Sequence, residues 1–161
     1  MRLRGNPAAG FTLIELVVAV SIMALLMMLA IPTMDGVLAD RRLRRSLDGF
    51  NALVREAQER SIAERRAYLI VWHDSTIGLR PEGLRREESA ESISKMKLGR
   101  NESLKISFPA ALAGEPPAEW IFWPSGNCEP AVVSYKGESG NWKANYSALT
   151  ARGDIVAYVA K

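Results

Sequence analysis

Little in this chain is equipped for covalent chemistry. Among its 161 residues there is one cysteine, Cys128, and one histidine, His73. A single cysteine excludes an intrachain disulfide, and the expected role for Cys128 is that of a small buried hydrophobe. There is no Gly-x-Ser-x-Gly elbow and no metal-ligand spacing of His, Cys and acids. His73 closes an apolar run beside Asp74 with no second catalytic partner. Ser125 sits in Pro124-Ser125-Gly126, where serine serves turn chemistry. The expectation is a non-enzyme with no cofactor and no metal. A charge excess is missing as well. The pI of about 9.2 invites a polyanion, yet Arg2 and Arg4 lie in the first ten residues, and from Ala67 onward basic and acidic side chains number eleven each. A near-neutral body argues against nucleic acid as a partner.

Charge is also absent from one long stretch. Leu16 to Ile31 holds no charged residue, and from Phe11 to Pro32 the sole charge is Glu15. That length approaches the roughly 20 residues a helix needs to span a bilayer. It exceeds the ~7–15 residue core of an ordinary secretory signal. No small-x-small cleavage site follows it, so residues 11–32 are expected to be a retained transmembrane helix.

The rest of the chain divides by periodicity. Residues 1–10 form a short basic leader. Pro32 and Gly36 are expected to kink the helix rather than end it. Over 33–66 the pattern turns amphipathic, with Leu43, Leu47, Phe50, Val54, Ala57 and Ser61 at three- and four-residue steps between Arg and Glu. A helix from Thr12 to Arg66 would be roughly 80 Å long, too long for one small globule. From 67 to 161 the period shortens. Tyr68–Trp72 suits a strand buried on both faces, with Thr76–Arg80 pairing back on it. Residues 81–103 read as a long mobile loop. Further strands are expected at 104–108, 120–123, 132–135, 142–146 and 155–159, the third and fourth of these joined as a hairpin through Gly137-Glu138-Ser139-Gly140. One long helix followed by about seven short strands predicts an α+β fold. The helix has a membrane half and an amphipathic half, the latter packed on an antiparallel β-sheet or small β-sandwich.

The most informative residues are Gly10-Phe11-Thr12-Leu13-Ile14-Glu15-Leu16, behind a basic leader and ahead of the apolar span. This stretch resembles the processing site of type IV prepilins and type II secretion pseudopilins. The resemblance implies cleavage by a prepilin peptidase between Gly10 and Phe11, followed by N-methylation of Phe11. It also implies that Glu15 pairs with the N-terminal amine of a neighbouring subunit during assembly. A carboxylate within an apolar span costs about 2.5–3.5 kcal/mol on insertion scales, so such a partner has a physical reason. A second role for Glu15 is to complement the helix dipole at its start.

Ile121-Phe122-Trp123-Pro124-Ser125-Gly126 and Ala148-Leu149-Thr150-Ala151-Arg152-Gly153-Asp154-Ile155 look like the turns of the H-type minor pseudopilin and FimT-like minor pilin group. Ala151 stands where that group usually has glycine. The resemblance implies a minor pseudopilin of a type II secretion system, with a minor pilin of a type IV pilus, for pilus biogenesis or DNA uptake, as the alternative. Expected partners are the prepilin peptidase, other pseudopilins or pilins, and the inner-membrane assembly platform. The expected location is the bacterial inner membrane, single-pass, with the N-terminus cytoplasmic and the body periplasmic, and then the filament. Arg41, Arg42, Arg44 and Arg45 follow the span and by charge counting favour the opposite orientation. The processing motif takes precedence, because the peptidase cuts on the cytoplasmic side. For DNA uptake, Lys143, Arg152 and Lys161 are dispersed among Glu138 and Asp154 and form no basic patch.

Overall fold

The computed structural model describes residues 11–85, 91–109 and 119–161, the side chains of 29–35 excepted. One helix, α1 (Leu13–Ala63), precedes eight strands: β1 (Tyr68–His73), β2 (Thr76–Pro81), β3 (Ser94–Lys97), β4 (Ser103–Ser107), β5 (Glu119–Phe122), β6 (Ala131–Gly137), β7 (Gly140–Tyr146) and β8 (Gly153–Ala160). Two compact units meet between Val37 and Leu38. The first holds the apolar part of α1. The second holds the rest of α1 and both sheets.

Within the second unit the strands form two four-stranded antiparallel sheets, ordered β3-β2-β1-β5 and β4-β6-β7-β8. The amphipathic stripe of α1 packs into the core with both. Leu43, Leu47, Phe50, Val54, Ala57 and Ser61 are all buried, as their spacing predicts. Phe50 is the hub. Its ring lies 5.7–6.4 Å from those of Trp72, Trp120, Trp142 and Tyr146, which come from both sheets. Such aromatic pairs add about 0.5–1.5 kcal/mol each beyond their burial.

Burying these amphipathic rings requires partners for their polar atoms. Trp142 Nε1 donates to Ser46 Oγ at 2.9 Å, and the Tyr146 hydroxyl donates to Asn51 Oδ1 at 2.6 Å. Trp120 Nε1 reaches the Glu129 carbonyl, and Trp72 Nε1 reaches the Leu104 carbonyl in the other sheet. The helix's polar residues near the stripe therefore tie it to β7, while Trp72 stitches the sheets together.

The structure departs from expectation at two places. The helix ends at Ala63, three residues short of Arg66. Arg65 turns into the left-handed region at φ 50°, so the stop is made without the glycine that would have announced it. Residues 81–103 are not one long loop: β3 lies within them, paired with β2 from Thr76↔Lys97 to Leu79↔Ser94. Four residues including two lysines carry little strand propensity, and it is the ladder with β2 that makes them a strand. The expected hairpin is present, with Gly137 opposite Gly140. Gly140 sits at φ 136°, and a Cβ there would overlap the Val159 carbonyl, so no other residue fits.

Pro32 and Gly36 both lie inside α1 and do not end it. The kink expected at Pro32 involves residues 29–35, whose side chains lie outside the described residues. Among the described residues no helix is long and apolar enough to cross a membrane, and the span expected over 11–32 runs into that same stretch.

Candidate functional site

Gly10 and the rest of the leader lie outside the described residues, and the description begins on the far side of the expected scissile bond. Phe11 is 85 % exposed. Thr12 starts the helix: its carbonyl accepts from the Glu15 and Leu16 amides, and its Oγ1 lies 3.3 Å from the Glu15 amide. Thr12-x-x-Glu15 thus places the carboxylate at the third helical position, the arrangement of a capping box, in the first turn where the dipole favours an anion. The signal for this cap was present in the sequence, and the threonine is the residue a motif-based reading passes over. Beyond it, the large apolar side chains from Leu13 to Met28 stand exposed, Met28 at 79 %.

Arg41, Arg42, Arg44 and Arg45 are all exposed, but Arg44 is engaged. Its Nε donates to Asp40 Oδ2 at 2.9 Å, and its guanidinium lies 5.9 Å from the Tyr158 ring centroid. The Tyr158 hydroxyl donates to Asp40 Oδ1 at 2.8 Å. The hydrogen bond from Tyr158, then that from Arg44, holds the Asp40 carboxyl below its ordinary range. This trio fastens β8 to α1 at the start of the second unit.

The other residues singled out for possible chemistry have structural surroundings. Cys128 is buried, and burial, followed by the charge of Glu129, pushes its thiol up to about 11, leaving little thiolate to react. Ser125 Oγ contacts Asn127 Oδ1 within its own turn. His73 is exposed at the end of β1. Among the described residues no group of three or more His, Cys, Asp or Glu is placed to hold a metal ion.

The two stretches resembling a family's turns, 121–126 and 148–155, are far apart in sequence but meet at Cys128. The Cys128 amide donates to the Ala148 carbonyl at 2.8 Å, and its Sγ faces the Ser147 carbonyl at 3.5 Å. Phe122 bridges to Cys128 from the other side.

The model of the prokaryotic N-terminal methylation motif matches residues 5–31, which contain Gly10, Phe11 and Glu15. The minor pseudopilin EpsH from the type 2 secretion system of Vibrio cholerae superposes with a TM-score of 0.50 at 14 % identity, covering 71 % of this chain and 95 % of that one. The type IV minor pilin FimU of Pseudomonas aeruginosa superposes with a TM-score of 0.55 at 14 % identity, covering 73 % and 90 %. The chain carries a prokaryotic N-terminal methylation motif, and its fold is similar to those of a minor pseudopilin and a type IV minor pilin. No curated protein sequence matches it significantly.

The pilin-like turn at 148–152 also resolves the one mismatch in its sequence. Ala151 has φ 50°, the left-handed conformation that glycine adopts without cost. Its amide donates to the Ser147 carbonyl at 2.9 Å, and its methyl group is buried in the core. Ala151 thus holds a backbone conformation that favours glycine while its methyl group packs in the core. In the partner turn, Gly126 has φ 85°, and its carbonyl accepts from Gln58 Nε2 of α1 at 2.6 Å.

Proposed function

We propose that the chain is a minor pseudopilin of a type II secretion system, a non-catalytic subunit of an inner-membrane filament. The observation that carries this reading is Gly10-Phe11 with Glu15 at the head of an apolar helix, inside the matched methylation motif. In this reading a prepilin peptidase cuts after Gly10 and Phe11 is N-methylated. Residues 11–32 then hold the protein in the bilayer with its sheets in the periplasm. The exposed apolar side chains of 13–28 support an environment of lipid first and of other subunits' helices later. Cleavage creates the amine that Glu15 of an adjoining subunit accepts, so processing licenses assembly. The inner-membrane assembly platform would add each subunit to the growing filament.

The likeness to FimU favours a second reading, a minor pilin of a type IV pilus. Deleting the chain separates the two: loss of an exported enzyme from the medium with pili intact supports secretion, and loss of pili with export intact supports the pilus.

The class itself is tested by intact mass of the membrane-extracted protein, which should show a chain beginning at N-methylated Phe11. Gly10→Val should leave the precursor wholly uncut, because a branched side chain cannot enter a site selected for none. A mature chain retaining Met1 overturns the proposal.

A further inference from the structure

Each sheet ends in two edge strands, and an unpaired edge invites another chain unless it is blunted. Three of the four are managed. β3 is four residues long and exposes Lys95 and Lys97. β4 exposes Ser103, Lys105 and Ser107 and buries only Leu104 and Ile106. β5 is short, and the 127–129 segment bonds to its outer side through Trp123 N to Asn127 O and Glu129 N to Ile121 O. β8 is guarded least for its length. It runs eight residues, with Asp154 as its one charge and a single bulge at Val156, and leaves Ile155, Val156 and Val159 each more than half exposed. Among the described residues nothing pairs with its outer edge.

Beside this edge lie two neighbouring hollows that together make a groove lined by α1 and the start of β8. One part, about 350 Å³, is lined by Arg44, Leu47, Asp48, Asn51, Ile155 and Tyr158. The next, about 430 Å³, shares Asn51 and ends at Arg55, Gln58 and the 150–153 turn, including Arg152. Three of the polar neighbours are already committed, Asn51 to Tyr146, Gln58 to Gly126 and Arg44 to Asp40, and the Asp48 carboxylate acts on Arg44 through its charge. Arg55 and Arg152 are exposed and have no hydrogen-bond or ion-pair partner for their side chains among the described residues. The groove thus offers Leu47 and Ile155 as apolar contacts in its first part and two unengaged guanidiniums at the end where β8 begins.

We propose that β8 is a docking edge for an extended segment of a partner protein, one that alternates apolar residues and carries carboxylates at the end lying against Arg55 and Arg152. Main-chain hydrogen bonds to β8 would supply affinity, and side chains over Ile155 would supply fit, as in strand addition generally. The carboxylates set direction: in antiparallel addition they belong at the C-terminal end of the added strand, because β8 runs away from Arg152. Within the filament reading this edge is where a neighbouring subunit of another sequence would attach, but the binding chemistry does not depend on that reading.

The test uses the full chain in detergent and a synthetic peptide of about eight residues, alternating threonine and valine and ending in two glutamates. Peptide binding is followed by fluorescence anisotropy, and amide hydrogen exchange locates the site. Binding should protect β8 amides and leave β4 unchanged. Lysines in place of the glutamates, or the Arg55→Glu/Arg152→Glu double variant, should each weaken binding roughly tenfold or more. Val156→Pro should abolish it; this residue is skipped in the β7 register, where Ile155 pairs with Ala144 and Ala157 with Lys143, so the sheet should survive. Equal binding of acidic and basic peptides, protection at another edge, or no binding overturns the proposal. Concentration-dependent protection of β8 without peptide would overturn it in favour of self-association. None of these outcomes depends on cleavage after Gly10, so failure here and failure of the pilin reading are separate results.

Discussion

Residues 13–28 and 43–61 belong to one helical element but treat their apolar side chains in opposite ways. In the first stretch, apolar groups occupy every face, and the large ones are exposed. In the second, they form one stripe that disappears beneath two sheets, while arginines and glutamates line the outside. The second stretch completes its burial inside the chain. The first is exposed among the described residues, and in the proposed reading lipid and then other subunits' helices cover it, because an apolar surface that large is not left in water. Glu15 sharpens the contrast. Several ionic groups of the amphipathic half find partners within the molecule, as Asp40 does in Arg44 and Tyr158 and as Glu56 does in Arg60 and Ser94, whereas the carboxylate of Glu15 forms no ion pair among the described residues.

The comparison breaks most visibly at the hub of the packed stripe. Phe50→Ala should destabilise the domain by about 3–5 kcal/mol, whereas Leu25→Ala in the exposed stretch should change its stability by less than ~0.5 kcal/mol. Urea unfolding of the two variants in detergent checks this, with alkylation of Cys128 at pH 9 as a second readout. The native thiol, raised to about 11, should react slowly until the domain opens. Equal destabilisation by both changes would show that the exposed stretch packs on the domain after all.

A smaller effect on folding, and a larger one on assembly, is expected from Glu15→Gln. It keeps the shape of the side chain and removes its charge, so membrane insertion should be normal or improved and cleavage should persist. Crosslinking to partner pilins in cells, at matched expression, should fall several-fold, since the adjoining amine would be desolvated without a counter-charge. Crosslinking and secretion like the parent's would reduce Glu15 to a helix-start charge.

The smallest effects belong to the turn at Ala151. Ala151→Val should cost about 1–3 kcal/mol, because a β-branched residue is poorly tolerated at positive φ. Ala151→Gly should stay within about 1 kcal/mol of the parent, as relief of the left-handed penalty offsets a lost buried methyl group. Thermal melts of the two variants decide it; similar losses in both would mean that the methyl packing, not the backbone, governs this turn.

What could be read in advance were the features written in local order. The three-four spacing of Leu43 through Ser61 specified a buried helical face, and the run 142–146 specified a strand, which the structure extends to Gly140–Tyr146. The processing motif and the charge-free run are likewise contiguous, so no fold was needed to see them. Other features became visible only with the chain folded. β3 is a strand because β2 lies beside it, and Arg65 and Ala151 take left-handed conformations with no glycine to signal them. The meeting of 121–126 with 148–155 at Cys128, the Asp40–Arg44–Tyr158 fastening and the open edge of β8 all join residues distant in sequence. Periodicity reports which face of one element seeks cover; only tertiary structure decides what supplies that cover, and which edge is left without it.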